Sequence, residues 1–308
     1  MGVDVLWAGL LLVSYYGVGL GLGGLCFLAI HYTTGAAWSS ALRRVAETLA
    51  ATLPLALVLL LVVLVARPQL YAWTTAGFVG AGGELAFKRF WLSRPFFLIR
   101  ALVYALVWTA FALAMRRSSA RQVGQVGLVG RVGLVGLSAA FLAVFAITFT
   151  LASIDWIMSL EPVWYSSIFG VYNFAGLFLS GLAAITLGAL RLERTGPLKG
   201  VLTEEHLHDL GKLMFAFSIF WMYIWFSQYM LIWYTNIPEE TSYFVLRGQG
   251  VWFGLSLLNV LLNWIVPFAM LLRRDAKRRR TTLALVAAVV LAGRVVDLYL
   301  MIFPSVAR

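Results

Sequence analysis

Eight apolar stretches recur along the chain, at roughly 7–33, 47–66, 95–115, 132–153, 167–190, 212–234, 248–272 and 281–303. Each is long enough to cross a hydrocarbon layer of about 30 Å as a helix. Lipid offers the backbone no hydrogen-bond partners, so a span must satisfy its own N–H and C=O groups, and none of these stretches has the alternating pattern of a membrane barrel strand. The sequence therefore predicts an all-α, polytopic transmembrane protein. A composition of 62% hydrophobic and 12% charged residues over 308 positions excludes a soluble domain. Short connections make neighbouring helices antiparallel. The simplest packing is two four-helix bundles, 1–152 and 167–308, joined by an outer-face carboxylate hinge at 153–166. Asp4 stands where a signal peptide has basic residues, and the first span exceeds a signal core, so it is expected to persist as a helix.

The net charge of +11 is distributed by connection. Arg43 and Arg44, Arg116 and Arg117, Arg191, Arg194 and Lys199, and the run from Arg273 to Arg280 all fall in odd-numbered connections. Basic residues favour the cytoplasmic side, which places those connections inside and both termini outside. The excess charge thus reports orientation and needs no nucleic acid. One cysteine, Cys26, allows no disulfide framework and no iron–sulfur ligation. Of the histidines, only His31 lies in a span, while His206 and His208 precede the sixth. The chain is expected to carry no haem and no metal of its own.

A charged side chain in hydrocarbon costs about 2.5–3.5 kcal/mol on insertion scales, so each one in a span needs a partner, a cavity or a function. Arg294 and Asp297 stand three apart in the last span, on one helix face. They read either as a neutral pair fixing helix register or as a proton station, Asp297, tuned by Arg294. Asp155 and Glu161 flank the outer end of the fourth span, as proton or pocket groups or as ordinary interfacial carboxylates. His206 and Asp209 share a face at the start of the sixth span. With His31 they form a candidate proton mouth on the cytoplasmic edge, the plainer reading being a solvated turn. Gln228 and Tyr229 could contact a quinone head or join helices. The glycines at 17, 19, 21, 23 and 24, and every third residue from 124 to 136, read as packing surfaces.

Three stretches carry a resemblance: Ser153-Ile-Asp-Trp-Ile-Met-Ser-Leu-Glu-Pro through Tyr172; Leu202-Thr-Glu-Glu-His-Leu-His-Asp-Leu-Gly-Lys-Leu-Met through Thr241; and Gly293-Arg-Val-Val-Asp-Leu-Tyr299. They resemble the NrfD-like, polysulfide-reductase family of membrane subunits in alternative complex III, a bacterial quinol oxidoreductase. The likeness runs over roughly 150–303 and is nearer the ActF-type subunit than its quinol-binding ActC-type sibling. It implies a multi-pass inner-membrane subunit of a respiratory quinol:cytochrome c or quinol:oxidase oxidoreductase. Such a subunit holds no redox centre. Its implied partners are a multihaem cytochrome c subunit, an iron–sulfur subunit, the sibling NrfD-like subunit and small membrane subunits, with a terminal oxidase as one electron acceptor. Haem c and iron–sulfur clusters belong to those partners.

The resemblance makes Asp297, Arg294, His206, Asp209 and Asp155 candidate proton-path residues. Quinol binding in this chain itself, through Asp155, Glu161, Gln228 and Tyr229, is the alternative, and a scaffold without proton conduction is another. Two departures stand out. Val163 follows Glu-Pro where relatives commonly have histidine, and eight spans replace about ten.

Overall fold

The computed structural model describes residues 2–74, 86–122 and 128–306. Gly124 and Gly127 of the glycine series lie outside the described residues, as does 75–85 of the second connection. Among the described residues, eight helices are long and apolar enough to cross a membrane: Asp4–Thr34, Trp38–Ala66, Arg94–Ala120, Gly133–Leu160, Phe169–Thr195, Glu204–Thr235, Gly250–Leu271 and Arg280–Val306. No strand occurs among them. The chain is a polytopic, all-α membrane protein.

In finer detail the first span is α1 (Gly2–Thr34) and the second is α2 (Arg43–Ala51) followed by α3 (Leu53–Ala66). Pro54 sits in the first turn of α3, where a missing N–H costs nothing. A short α4 (Ala86–Trp91) precedes α5 (Arg94–Gln122) and α6 (Leu128–Trp156). The second half contains α7 (Phe169–Thr195), α8 (Glu204–Thr235), the short α9 (Pro238–Arg247), α10 (Gly250–Val260), α11 (Val266–Leu271) and α12 (Arg280–Val306). Between α10 and α11 lies a π-helical turn, Leu261–Ile265. Pro267 follows it and cannot donate to the carbonyl four residues back, so the wider turn accommodates a break in the ladder.

Helices α1, α2, α3, α5 and α6 pack among themselves, as do α7, α8, α10, α11 and α12, and the two sets meet where α1 crosses α7 and α12 and where α6 crosses α7. Helix α7 is innermost: 78% of its apolar window is buried, against 22% for the span Gly250–Leu271, which faces outward. Glycine makes the α1–α7 crossing close. A Cβ on Gly23 would lie 2.9 Å from Gly181 Cα, so the two backbones touch there, and Gly24 likewise meets the backbone of α2.

Ion pairs sort the connections by face. Arg278 bonds Glu205, and Arg280 bonds Glu193, on the odd-numbered side. On the even-numbered side Arg67 bonds Asp4 at 2.8 Å and Arg247 bonds Glu161 at 2.9 Å. Ser305, near the end of α12, also donates to Glu161, so the ends of α1 and α12 share the face of the even-numbered connections.

Candidate carboxylate sites inside the bundle

Asp297 has no exposed surface. Nine residues separate it from the end of α12 at Val306, which at 1.5 Å per residue puts it about 14 Å in from the even-numbered face. Four donors hold its carboxylate. Arg294 Nη1, three residues back on the same helix, bonds Oδ2. Trp221 Nε1 of α8 reaches Oδ2 at 3.3 Å, Asn259 Nδ2 of α10 reaches Oδ1 at 3.0 Å, and the Tyr172 hydroxyl of α7 also donates to Oδ1. The spacing on α12 supplies only the arginine, and three other helices supply the rest.

Two glycines make room for this cluster. A Cβ on Gly176 would stand 2.8 Å from Arg294 Cζ, and one on Gly293 would stand 2.9 Å from the Asn263 amide. Asn263, in the π turn, donates to Asn259 Oδ1 at 2.7 Å and extends the polar series inward. On the other side Arg294 Nη2 and the Tyr15 hydroxyl both donate to Asn173 Oδ1, each at 3.2 Å. Tyr15 also lies 3.4 Å from Ser153 Oγ on α6. Buried polar contacts thus run from α6 through α1 and α7 to α12, joining the two helix sets.

Asp155, one residue before the end of α6, is equally buried. Arg100 of α5 grips it with both arms, Nε to Oδ2 and Nη2 to Oδ1, each at 2.8 Å. Tyr104 donates to Oδ2 at 3.1 Å and Trp91 Nε1 to Oδ1 at 2.9 Å. Arg100 in turn donates to the Trp91 carbonyl and lies over its ring at 4.0 Å. This pair ties α4, α5 and α6 together at the even-numbered end.

Glu161 and Arg247 make a third buried pair. Arg247 also donates to the carbonyls of Leu300 and Tyr243, and its guanidinium covers the Tyr243 ring at 3.4 Å. Tyr243 stacks on Trp164 at 3.9 Å. Arg247, Gln228, Asn259 and Asp297 line one narrow cavity of about 30 Å³, enough for a water molecule. Gln228 is buried and accepts from Ser166, while Tyr229 is exposed and stacked on Trp225.

A larger apolar cavity, about 500 Å³, lies over the hinge between Phe87, Trp91, Met158, Ser159, Trp164 and Tyr165. Two of its lining residues touch Asp155: Trp91 donates to its carboxylate, and the Ser159 hydroxyl donates to its backbone carbonyl. The indole N–H of Trp164 is buried and has no hydrogen-bond partner among the described residues.

The remaining candidates occupy the odd-numbered end. His206 Nδ1 accepts from the Thr203 backbone N–H at 3.1 Å while Thr203 Oγ1 accepts from the His206 N–H, a reciprocal cap on α8. Asp209 pairs with Lys212 at 2.6 Å on the surface. His31 donates from Nδ1 to the Phe27 carbonyl and packs on Phe27 and Trp38. The cavity that His31 lines includes neither His206 nor Asp209. Among the described residues no group of three or more His, Cys, Asp or Glu side chains is arranged to hold a metal ion.

Sequence reasoning passed over Arg100, although a lone basic residue inside an apolar stretch is its own signal. Tyr104, Tyr172, Asn173, Trp221, Asn259 and Asn263 had no such mark. Neither a protein-family model nor a curated protein matches the chain.

Proposed function

We propose that the chain is the membrane subunit of a respiratory quinol oxidoreductase of the alternative complex III type, ActF-like, and that Asp297 takes up and releases protons within it. Electrons would pass through partner subunits bearing haem c and iron–sulfur clusters, in the bacterial inner membrane, with the even-numbered face outside. The observation that carries this reading is the setting of Asp297: a fully buried carboxylate, about 14 Å deep, bordering a water-sized cavity that leads past Asn259 and Gln228 to Arg247. A buried ionisable group in a membrane span is a functional-site hypothesis by default, and the cavity beside this one has room for a water molecule. Asp155 differs. It is enclosed by Arg100, Tyr104 and Trp91, and we read it as a clamp rather than a station. His206 caps α8 at the odd-numbered end.

The test is Asp297→Asn in the assembled complex, reconstituted in vesicles. Asparagine keeps the shape but cannot exchange a proton. Quinol oxidation should persist while the accompanying proton movement falls at least tenfold. Equal proton movement in both proteins would make the cluster a scaffold.

A second reading, quinol binding in this chain, is favoured by the 500 Å³ cavity at the hinge. Its walls are apolar and aromatic, the pattern of a small-molecule site. A photoreactive quinone should label this hinge in the assembled complex. Labelling confined to a partner subunit would end that reading.

A further inference from the structure

We infer that the Tyr172 hydroxyl is the relay by which a proton passes between Asp297 and the water-sized cavity beside it. The inference rests on the reading of Asp297 as a proton station, and it names the one route into that station which the surrounding bonds leave open.

Asp297 has no exposed surface, so a proton reaching its carboxylate has to come through one of its four ligands. Two of the four can only donate. The Arg294 guanidinium carries N–H groups and no acceptor, and the same holds for the indole Nε1 of Trp221. Neither of these two lines the cavity, whereas Tyr172 and Asn259 both do. The choice therefore lies between an amide and a phenol.

The amide is locked. Asn263 Nδ2 lies 3.1 Å from the Asn259 backbone carbonyl, which accepts and cannot donate, so the N–H end of the Asn263 amide faces Asn259. That same end donates to Asn259 Oδ1 at 2.7 Å. The side-chain oxygen of Asn259 is thereby committed to Asn263, and only its N–H is left for Asp297 Oδ1, at 3.0 Å. Turning the Asn259 amide over would set its N–H against that of Asn263 and its oxygen against the carboxylate. Gly293 lets Asn263 lie close to α12, since a Cβ there would stand 2.9 Å from the Asn263 amide. Asn259 stays a donor and takes no part in the transfer.

A phenol differs because its oxygen accepts as well as donates. Tyr172 reaches across from α7, and its hydroxyl donates to Oδ1. Uptake balances in two linked transfers. The hydroxyl proton moves to Oδ1, breaking the tyrosine O–H bond and forming the carboxyl O–H, while a hydronium ion in the cavity gives a proton to the phenol oxygen and is left as water. Tyr172 ends neutral, as it began, with its new O–H turned to the cavity and its oxygen accepting from the Asp297 carboxyl. Release runs the same steps backwards.

The experiment compares the parent, Tyr172→Phe, Trp221→Phe and Asp297→Asn in the assembled complex reconstituted in vesicles, recording quinol oxidation and proton movement together. Tyr172→Phe removes one oxygen and keeps the ring. Trp221→Phe removes a bond to the same carboxylate, but from a donor that cannot relay. Proton movement per quinol oxidised should fall about tenfold or more in Tyr172→Phe and stay within about twofold of the parent in Trp221→Phe, with quinol oxidation kept in both. An equal fall in the two variants makes the Tyr172 bond merely structural and overturns the relay. Parent-like proton movement in Tyr172→Phe, alongside its loss in Asp297→Asn, also overturns the relay while leaving Asp297 as the station. Parent-like movement in Asp297→Asn removes station and relay together. Should Trp221→Phe fail to assemble, the comparison of Tyr172→Phe with Asp297→Asn decides alone.

Discussion

Gly176→Ala isolates the Arg294–Asp297 pair without touching a polar group. In an ordinary helix the exchange helps, since alanine is favoured over glycine by about 0.5–1 kcal/mol. Here the new Cβ would lie 2.8 Å from Arg294 Cζ and closer still to Nη1, while ordinary contact begins at 3.4 Å. The guanidinium must retreat by about 0.6 Å at Cζ, the difference between those two distances. Nη1, the atom nearest the new Cβ, is the one that bonds Asp297, and Nη2 holds Asn173 Oδ1 at 3.2 Å, so a guanidinium displaced that far cannot keep both bonds. Breaking a buried pair costs about 3–5 kcal/mol because the remaining charge stays desolvated. Subtracting the helix gain leaves a net loss of about 2–4 kcal/mol. Gly19→Ala is the matched control on α1: its Cβ would meet only Leu177 Cγ, at 3.9 Å, and should be neutral or slightly stabilising. Equilibrium unfolding in mixed micelles, followed by tryptophan fluorescence, measures both. A Gly176→Ala protein as stable as the parent would refute the claim that this glycine exists to seat Arg294.

Arg100→Met should destabilise the chain by about 3–5 kcal/mol, and adding Asp155→Leu should restore most of that, because removing both charges leaves no unpaired ion; the same micelle titration reads it. Tyr243, outside the spans, has its phenol pushed up from 10.0 to about 12, chiefly by burial, with Glu161 adding to the rise and Arg247 opposing it. The folded protein therefore binds the proton more tightly than the unfolded chain. That contribution is whole below pH 10 and is lost as the pH climbs towards 12. Ultraviolet titration of the parent minus Tyr243→Phe at 295 nm should show no tyrosinate from this residue until above pH 11.

The spans were legible because each is a continuous apolar window, and a bilayer leaves such a window one structure to adopt. The pairing of Arg294 with Asp297 was legible for a similar reason, since three residues on a helix bring side chains together whatever surrounds them. The other ligands of Asp297 were not. Tyr172, Trp221 and Asn259 lie 125, 76 and 38 residues away in sequence, and each resembles an ordinary occupant of an aromatic-rich span. The capping box that the His206 ring closes with Thr203 was only half legible: Thr203 before acidic residues marks a helix start, but nothing in the sequence says that the ring itself makes the reciprocal bond. Local backbone geometry placed that ring, and three-dimensional crossing of helices placed the ligands of Asp297.

The two buried aspartates draw on the same residue types, arginine, tyrosine and tryptophan, yet they are wired differently, and the wiring separates their roles. For Asp155 the arginine comes from a different helix, so the strongest bond is itself the tie between α5 and α6. Neutralising Asp155 would cut that tie and leave Arg100 buried and unpaired. Arg294 sits on the helix of Asp297, so their ion pair holds no two helices together. The links from the Asp297 carboxylate to α7, α8 and α10 run through the neutral donors Tyr172, Trp221 and Asn259, and Arg294 adds a separate bond to Asn173 of α7. Each donates to a charged oxygen, and hydrogen bonds to charged groups contribute about 1.5–3 kcal/mol where neutral ones contribute about 0.5–1.5. Adding a proton to Asp297 weakens three interhelical bonds at once while Arg294 keeps an alternative acceptor in Asn173. Protonation of Asp297 would thus weaken three links to α12 made by neutral donors, whereas at Asp155 it would weaken the ion pair that ties α5 to α6.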